Sequence, residues 1–310
     1  MIAQIMALFM GSLLSIPAPQ NLDVTGKFLT SVIPEGRVLS AQTELREGSP
    51  IRISNTEEVN VTADSYVVVD VGSGSVIAAR NPSAVHPVAS LTKLLTALTV
   101  MQNFNQDDQV LVGPNAVKAG KSGSNMKLRV GETIKLKDLL AGLLINSAND
   151  AAVALAEHFS GTESKFSEAM NKVAQNYALS RTHVVNATGF DNREQFSSSY
   201  DIGLLLLHAW RDPVLGVYLR SSSLTVTSVD GSIKHNLKTT NRLLGERTDI
   251  LAGKTGFTSA AGQSLAVVAE NETGNPVIVV LLGSEDRFGE VDKILNWTFR
   301  TFSWPENNNY

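Results

Sequence analysis

The chain has 310 residues, 43% hydrophobic and 18% charged, apolar material enough for a sizeable core in one large domain or two small ones. A formal net charge of -4 offers no basic footprint for nucleic acid. The absence of cysteine excludes thiolate catalysis, Cys-ligated zinc and a disulfide framework.

Residues 1–22, MIAQIMALFMGSLLSIPAPQNL, carry no charge before Asp23 and open on 16 nearly all apolar or small residues. That length suits the core of a signal peptide and is short for a membrane span, which needs about 20 residues. No Lys or Arg precedes the run, and Pro17 and Pro19 crowd Ala18, so an uncleaved anchor is the alternative to a cleaved signal. Either reading implies export, with membrane contact through this segment alone. Residues 23–63 are polar and irregular and read as a linker with one or two short strands.

Order is expected from residue 64 to residue 302. YVVVDVGSGSVIAAR holds two β-branched runs around Gly72 to Ser75, a hairpin signal. A helix follows from Val88 to about Asn103, then short strands in VLVG and MKLRVGETIKL. KLKDLLAGLLIN and NDAAVALAEHF read as two helices broken at Ser147, and ESKFSEAMNKVAQNYAL as a third with Phe166, Met170, Val173 and Tyr177 on one face. An Asn- and Ser-rich loop leads to the helix SYDIGLLLLHAW. The last third turns to strands, SLTVTSVDGSIKH and a hairpin around Gly274-Asn275, before a closing helix EVDKILNWTFRTF and a tail, 303–310. Strands at both ends with helices between predict an α+β fold, an antiparallel sheet packed with a helical subdomain.

Several motifs fail on inspection. NAVKAGKS and TDILAGKT end like phosphate-binding loops, but Asn115 and Thr248 stand where the first glycine is required. His86, His158, His183, His208 and His235 are scattered and read as surface or loop residues; no metal or organic cofactor is implied.

Three short motifs cooperate instead. In VASLTKLLTA, Ser90 and Lys93 lie three positions apart on one helical face, and a lysine withdrawn from water becomes a base. Ser147-Ala148-Asn149 sits where a turn can aim two polar side chains into a cleft, and Lys254-Thr255-Gly256 precedes an apolar strand. Together they suit acyl transfer. Ser90 attacks a carbonyl, Lys93 takes its proton, and Ser147 relays protons to the leaving amine. Asn149 holds the substrate amide and Thr255 its carboxylate. Lys254 adds positive charge and keeps Lys93 neutral by repulsion. Gly256 lets the substrate lie close to the strand edge.

S-x-x-K, S-x-N and K-T-G in this order, with flanks such as INSANDAAVALAEH and GKTGFTSAAGQSLAVVA, resemble the low-molecular-mass penicillin-binding proteins of the D-alanyl-D-alanine carboxypeptidase family over about residues 64–302. The resemblance implies a β-lactamase/transpeptidase-like fold, an oxyanion hole from the backbone N–H groups of Ser90 and Phe257, and Arg287 on the carboxylate side. It implies peptidoglycan stem peptides ending in D-Ala-D-Ala as substrates and β-lactams as inhibitors. The middle motif is S-A-N rather than S-D-N, which fits carboxypeptidases better than class A β-lactamases; a β-lactamase would need a positioned carboxylate near Glu194. The chain ends soon after its last helix, without the C-terminal β domain many members carry, so a D,D-endopeptidase acting on cross-links is an open alternative. A penicillin or cell-wall sensor that acylates without turnover is another.

Overall fold

The computed structural model describes residues 39–40, 48–102, 105 and 107–305, so the segment expected to direct export, 1–22, and most of the expected linker lie outside the described residues. The chain runs β1 (Leu39–Ser40), β2 (Ile51–Arg52), β3 (Ser65–Asp70), β4 (Val76–Arg80), a 3-10 turn (Ala89–Leu91), α1 (Thr92–Met101) and β5 (Gln109–Leu111). It continues with α2 (Pro114–Ala119), β6 (Thr133–Lys135), α3 (Leu136–Ile145), α4 (Asn149–Ser160), α5 (Glu163–Asn176), α6 (Ser199–Arg211) and α7 (Leu215–Leu219). It closes with β7 (Ser223–Thr227), β8 (Lys234–Lys238), α8 (Leu243–Glu246), β9 (Ile250–Thr258), β10 (Gly262–Glu270), β11 (Pro276–Ser284), α9 (Arg287–Thr301) and β12 (Phe302–Ser303).

Six strands form one antiparallel sheet in the order β1-β4-β3-β11-β10-β9. Its central strands read VVV, SLAVVA and VIVVLL because both faces are covered, so apolar residues need not alternate. Val67, Ile278 and Val280 turn to α6, where Gly203 lets the helix approach. On the other face Tyr66, Val68, Val277, Val279 and Leu281 cluster with Val291, Ile294 and Leu295 of α9. Each fully buried Val, Leu or Ile of this kind contributes about 1.5–3 kcal/mol. β9, which carries Lys254 to Gly256, is an edge strand, free to face the helical half.

The predicted helices appear close to their expected limits. The N-terminal end of the 88–103 helix is instead the 3-10 turn, and Leu91, Leu94, Leu95 and Leu98 are buried, as an anchoring face requires. The short helices α2, α7 and α8 were not anticipated. α2 ends at Gly120 and the second GKT lies inside β9, so neither phosphate-loop decoy forms a loop around an anion.

Residues 51–63, expected as linker, lie against the body. β2 pairs with β12, Trp297 donates to the Glu57 carbonyl, and Val59, Val61 and Ala63 enter the core below α9. Surrounding polar residues mask those apolar positions in the sequence. The tail likewise begins attached, since Trp304 Nε1 donates to Asp70 Oδ1 at 2.7 Å. Among the described residues no helix is long and apolar enough to cross a membrane.

Candidate active site

Ser90 sits in the 3-10 turn that opens onto α1, held there by unusual backbone. Ala89 has φ +48°, a left-handed conformation rare for a residue with a Cβ and a sign of local strain. Gly189, φ +86°, packs directly over it; a Cβ there would stand 2.0 Å from the Ala89 carbonyl oxygen. One turn beyond, Lys93 is wholly buried, with Nζ 2.9 Å from Ser90 Oγ and 2.8 Å from Asn149 Oδ1, and in contact with the Thr188 carbonyl at 2.5 Å. Burial pulls the Lys93 pKa down to about 7, against the opposing pull of the Asp150 and Glu163 carboxylates. A neutral amine has two hydrogens and one lone pair. The Asn149 and Thr188 oxygens take the hydrogens, which leaves the lone pair for the Ser90 hydroxyl.

Ser147 lies in the break between α3 and α4, again with a positive φ, +58°, that turns its hydroxyl out of the helix path. Lys254 reaches it from β9: Nζ is 2.7 Å from Ser147 Oγ and donates to the Thr255 carbonyl at 3.0 Å. Lys254 is also buried, and its pKa falls well below the usual lysine range through burial, then the nearness of Lys93 and Arg287. The expected repulsion between the two lysines is therefore present, but it weighs on Lys254, while Lys93 is depressed chiefly by burial.

Asn149 opens α4 and is tied on both sides, its Oδ1 to Lys93 and its Nδ2 to the Ser122 carbonyl at 2.6 Å. Asp150, buried next to it, accepts from the backbone N–H groups of Met126 and Leu128 and so fixes the segment that walls this side. Thr255 is buried on β9, and Phe257, two residues on, is 63% exposed. At Gly256 the contact that demands a glycine is with the chain itself: a Cβ would lie 2.8 Å from the Val88 carbonyl and 3.3 Å from Leu91. Its role is thus to let the edge strand meet the turn carrying Ser90, rather than to admit substrate. Arg287, at the start of α9, donates from Nη1 to the Gly256 carbonyl at 2.9 Å, which brings it to the end of K-T-G. A cleft of about 470 Å³ lined by Asn115, Lys118, Ser122, Glu157, Glu163 and Phe190 adjoins Asn149 through Ser122.

Sequence reasoning missed the Thr188 and Ser122 carbonyls, which carry no side-chain signature, and Asn186. The Asn186 Oδ1 accepts from Thr188 Oγ1 and the Gly189 and Phe190 N–H groups, shaping the loop that delivers the Thr188 carbonyl. His235 is a correction. It is buried, not a surface residue, with Nδ1 2.7 Å from the Met126 carbonyl and Nε2 2.6 Å from Glu132 Oε1. The alternation of β8 turns it inward. Glu194 is exposed, whereas its neighbour Gln195 is buried against Thr92 of α1.

Comparison with known proteins agrees with this geometry. The profile of the D-alanyl-D-alanine carboxypeptidase family matches residues 52–286. The D-alanyl-D-alanine carboxypeptidase DacA of Haemophilus influenzae is 33% identical over 254 residues, 78% of this chain and 63% of that protein, so the chain spans less than two thirds of that relative. The D-alanyl-D-alanine endopeptidase of Pseudomonas aeruginosa is 30% identical over 263 residues, 84% of each protein. A crystal structure of a Streptomyces DD-transpeptidase superposes with a TM-score of 0.74 at 26% identity, covering 79% of this chain and 100% of that one. The fold is that of the penicillin-binding DD-transpeptidases, and it brings a serine–lysine pair together with S-x-N and K-T-G. With three quarters of its length under that profile, the chain belongs to the D-alanyl-D-alanine carboxypeptidase family.

Proposed function

We propose that this chain is a serine D-alanyl-D-alanine carboxypeptidase that trims the terminal D-alanine from peptidoglycan stem peptides. The observation that carries the reading is Ser90 Oγ within 2.9 Å of a fully buried Lys93 whose pKa is pulled down to about 7, a value suited to a general base at neutral pH. Ser90 attacks the penultimate carbonyl while Lys93 takes its proton. The oxyanion is held by the Ser90 and Phe257 N–H groups. Ser147, bonded to Lys254, passes a proton to the departing D-alanine nitrogen, and water then releases the acyl group. Asn149 meets the substrate amide with its remaining N–H. Thr255, supported by Lys254 and Arg287, meets the terminal carboxylate. Penicillins, which imitate this substrate, acylate Ser90. A peptidoglycan substrate places the enzyme outside the cytoplasmic membrane, in keeping with export by residues 1–22.

A second reading, D,D-endopeptidase action on cross-linked stems, draws on the match to the Pseudomonas aeruginosa endopeptidase over 84% of both chains. Incubation with a monomeric pentapeptide and with a purified cross-linked dimer separates the two by product mass. Faster release of D-alanine from the monomer supports the carboxypeptidase. Preferential conversion of dimer to monomers overturns it in favour of the endopeptidase.

A further inference from the structure

The Thr255 hydroxyl is not alone on β9. Thr240 Oγ1 lies 2.5 Å from Thr255 Oγ1, a short contact between two hydroxyls. Two hydroxyls in contact own two hydrogens, and one is consumed between them. If Thr240 donates, Thr255 keeps its own hydrogen for an incoming anion. A hydroxyl that accepts one bond also becomes a stronger donor of the next, so the chain Thr240 to Thr255 to carboxylate is polarised in one direction.

The segment bearing Thr240 is fastened to β9. Thr239 N–H donates to the Ser222 carbonyl at 2.8 Å, and Asn241 N–H to Thr239 Oγ1 at 3.1 Å. Asn241 is buried, accepts from Leu243 N–H, and lies against Gly253, where a Cβ would come within 2.6 Å of its Nδ2. Gly253 immediately precedes Lys254, so the glycine that seats Asn241 also sets Thr240 beside Thr255. Thr240 itself remains partly exposed beside β9, which among the described residues has no further neighbour on that edge of its sheet.

We propose that Thr240 is a positioning residue for recognition of the substrate's terminal carboxylate, acting by donating to Thr255 Oγ1. The inference rests on the carboxypeptidase reading, which makes Thr255 the carboxylate's partner. Misdirecting a hydrogen bond to a charged group forfeits about tenfold or more.

The test compares kcat/KM for a peptide ending in D-Ala-D-Ala with the same peptide as its C-terminal carboxamide. Thr240→Val keeps the shape and removes the hydroxyl. It lowers kcat/KM on the carboxylate peptide about tenfold, mainly through KM, and leaves the slower carboxamide reaction within about twofold. Thr240→Ser restores the wild-type ratio. In a Thr255→Val background, Thr240→Val has no further effect, because the hydroxyl acts through Thr255. Equal losses on both peptides, additive losses in the double variant, or no loss in a folded Thr240→Val protein overturn the inference. A wild-type protein that is acylated by penicillin at Ser90 but cleaves neither peptide overturns the carboxypeptidase reading, and the inference with it.

Discussion

Lys93 is the residue on which the site turns, and its surroundings make a definite demand on pH. Burial holds its pKa at about 7, so the neutral amine, the form that the proposed proton transfer from Ser90 requires, is gained as pH rises through about 7. The acylation rate of Ser90 by a β-lactam therefore climbs across pH 6–8 and levels above it. A stopped-flow pH profile flat over that range contradicts the assignment. The same group sets a stability slope. Between about 7 and the usual lysine value of 10.5 the unfolded chain holds a proton that the folded chain does not, so this contribution to stability rises with pH by about 1.4 kcal/mol per unit. The unfolding free energy of wild type relative to Lys93→Met moves in favour of wild type from pH 7 to pH 9. A difference independent of pH would show that Lys93 titrates normally.

At the scale of elements, the site is a meeting of the 3-10 turn, the α3–α4 break, the 183–197 loop and the edge strand β9. Two of these junctions depend on glycines. Gly189→Ala drives a Cβ into the Ala89 carbonyl, at 2.0 Å, and also forces a strained φ. It destabilises by about 2–4 kcal/mol and cuts Ser90 acylation by more than about tenfold. Gly231→Ala is the control. Its φ of +72° is similar, yet nothing lies within 4 Å of the added carbon, so the cost is about 1 kcal/mol and acylation is unchanged. Thermal unfolding and acylation measured on both variants decide the matter; equal acylation in the two would show that the Gly189 junction does not position Ser90.

The same elements show what was legible in the sequence and what was not. Ser90, Lys93, Ser147, Asn149 and Lys254 could be read because their side-chain chemistry and order are visible, and the structure joins them in two neighbouring hydrogen-bonded groups, Ser90 and Asn149 on Lys93 and Ser147 on Lys254, close enough for the Lys93 charge to weigh on Lys254. The helices at 136–145 and 149–160 showed in their apolar periodicity. The Thr188 carbonyl, the positive φ of Ala89 and the seating of Asn241 against Gly253 have no local signature, since each exists only through contacts far along the chain. His235 escaped for the opposite reason. A lone histidine in a polar strand reads as surface until its partner Glu132, 103 residues away, is seen.

Across the whole molecule, stability and chemistry are carried by different parts of the sheet. Leu295 of α9 is fully buried in the cluster on the face of the sheet away from α6. Leu295→Ala costs about 2–5 kcal/mol while leaving the acylation rate of the folded protein within about twofold, because the cavity opens under α9 rather than beside Ser90. Denaturant unfolding and acylation measured together test this, and a large loss of rate in fully folded protein would show that the sheet core governs the site directly. Residues 51–63 belong to the same core, through Val59, Val61 and Trp297, so the catalytic body is broader than the 64–302 segment read from the sequence.

The central claim is that Ser90 is the nucleophile. Its most direct measurement is the mass of the peptide containing Ser90 after brief exposure of the protein to benzylpenicillin. A penicilloyl adduct on that peptide in wild type, absent in a folded Ser90→Ala protein, is the expected result. Equal labelling of wild type and Ser90→Ala, or an adduct on a different residue, would contradict it.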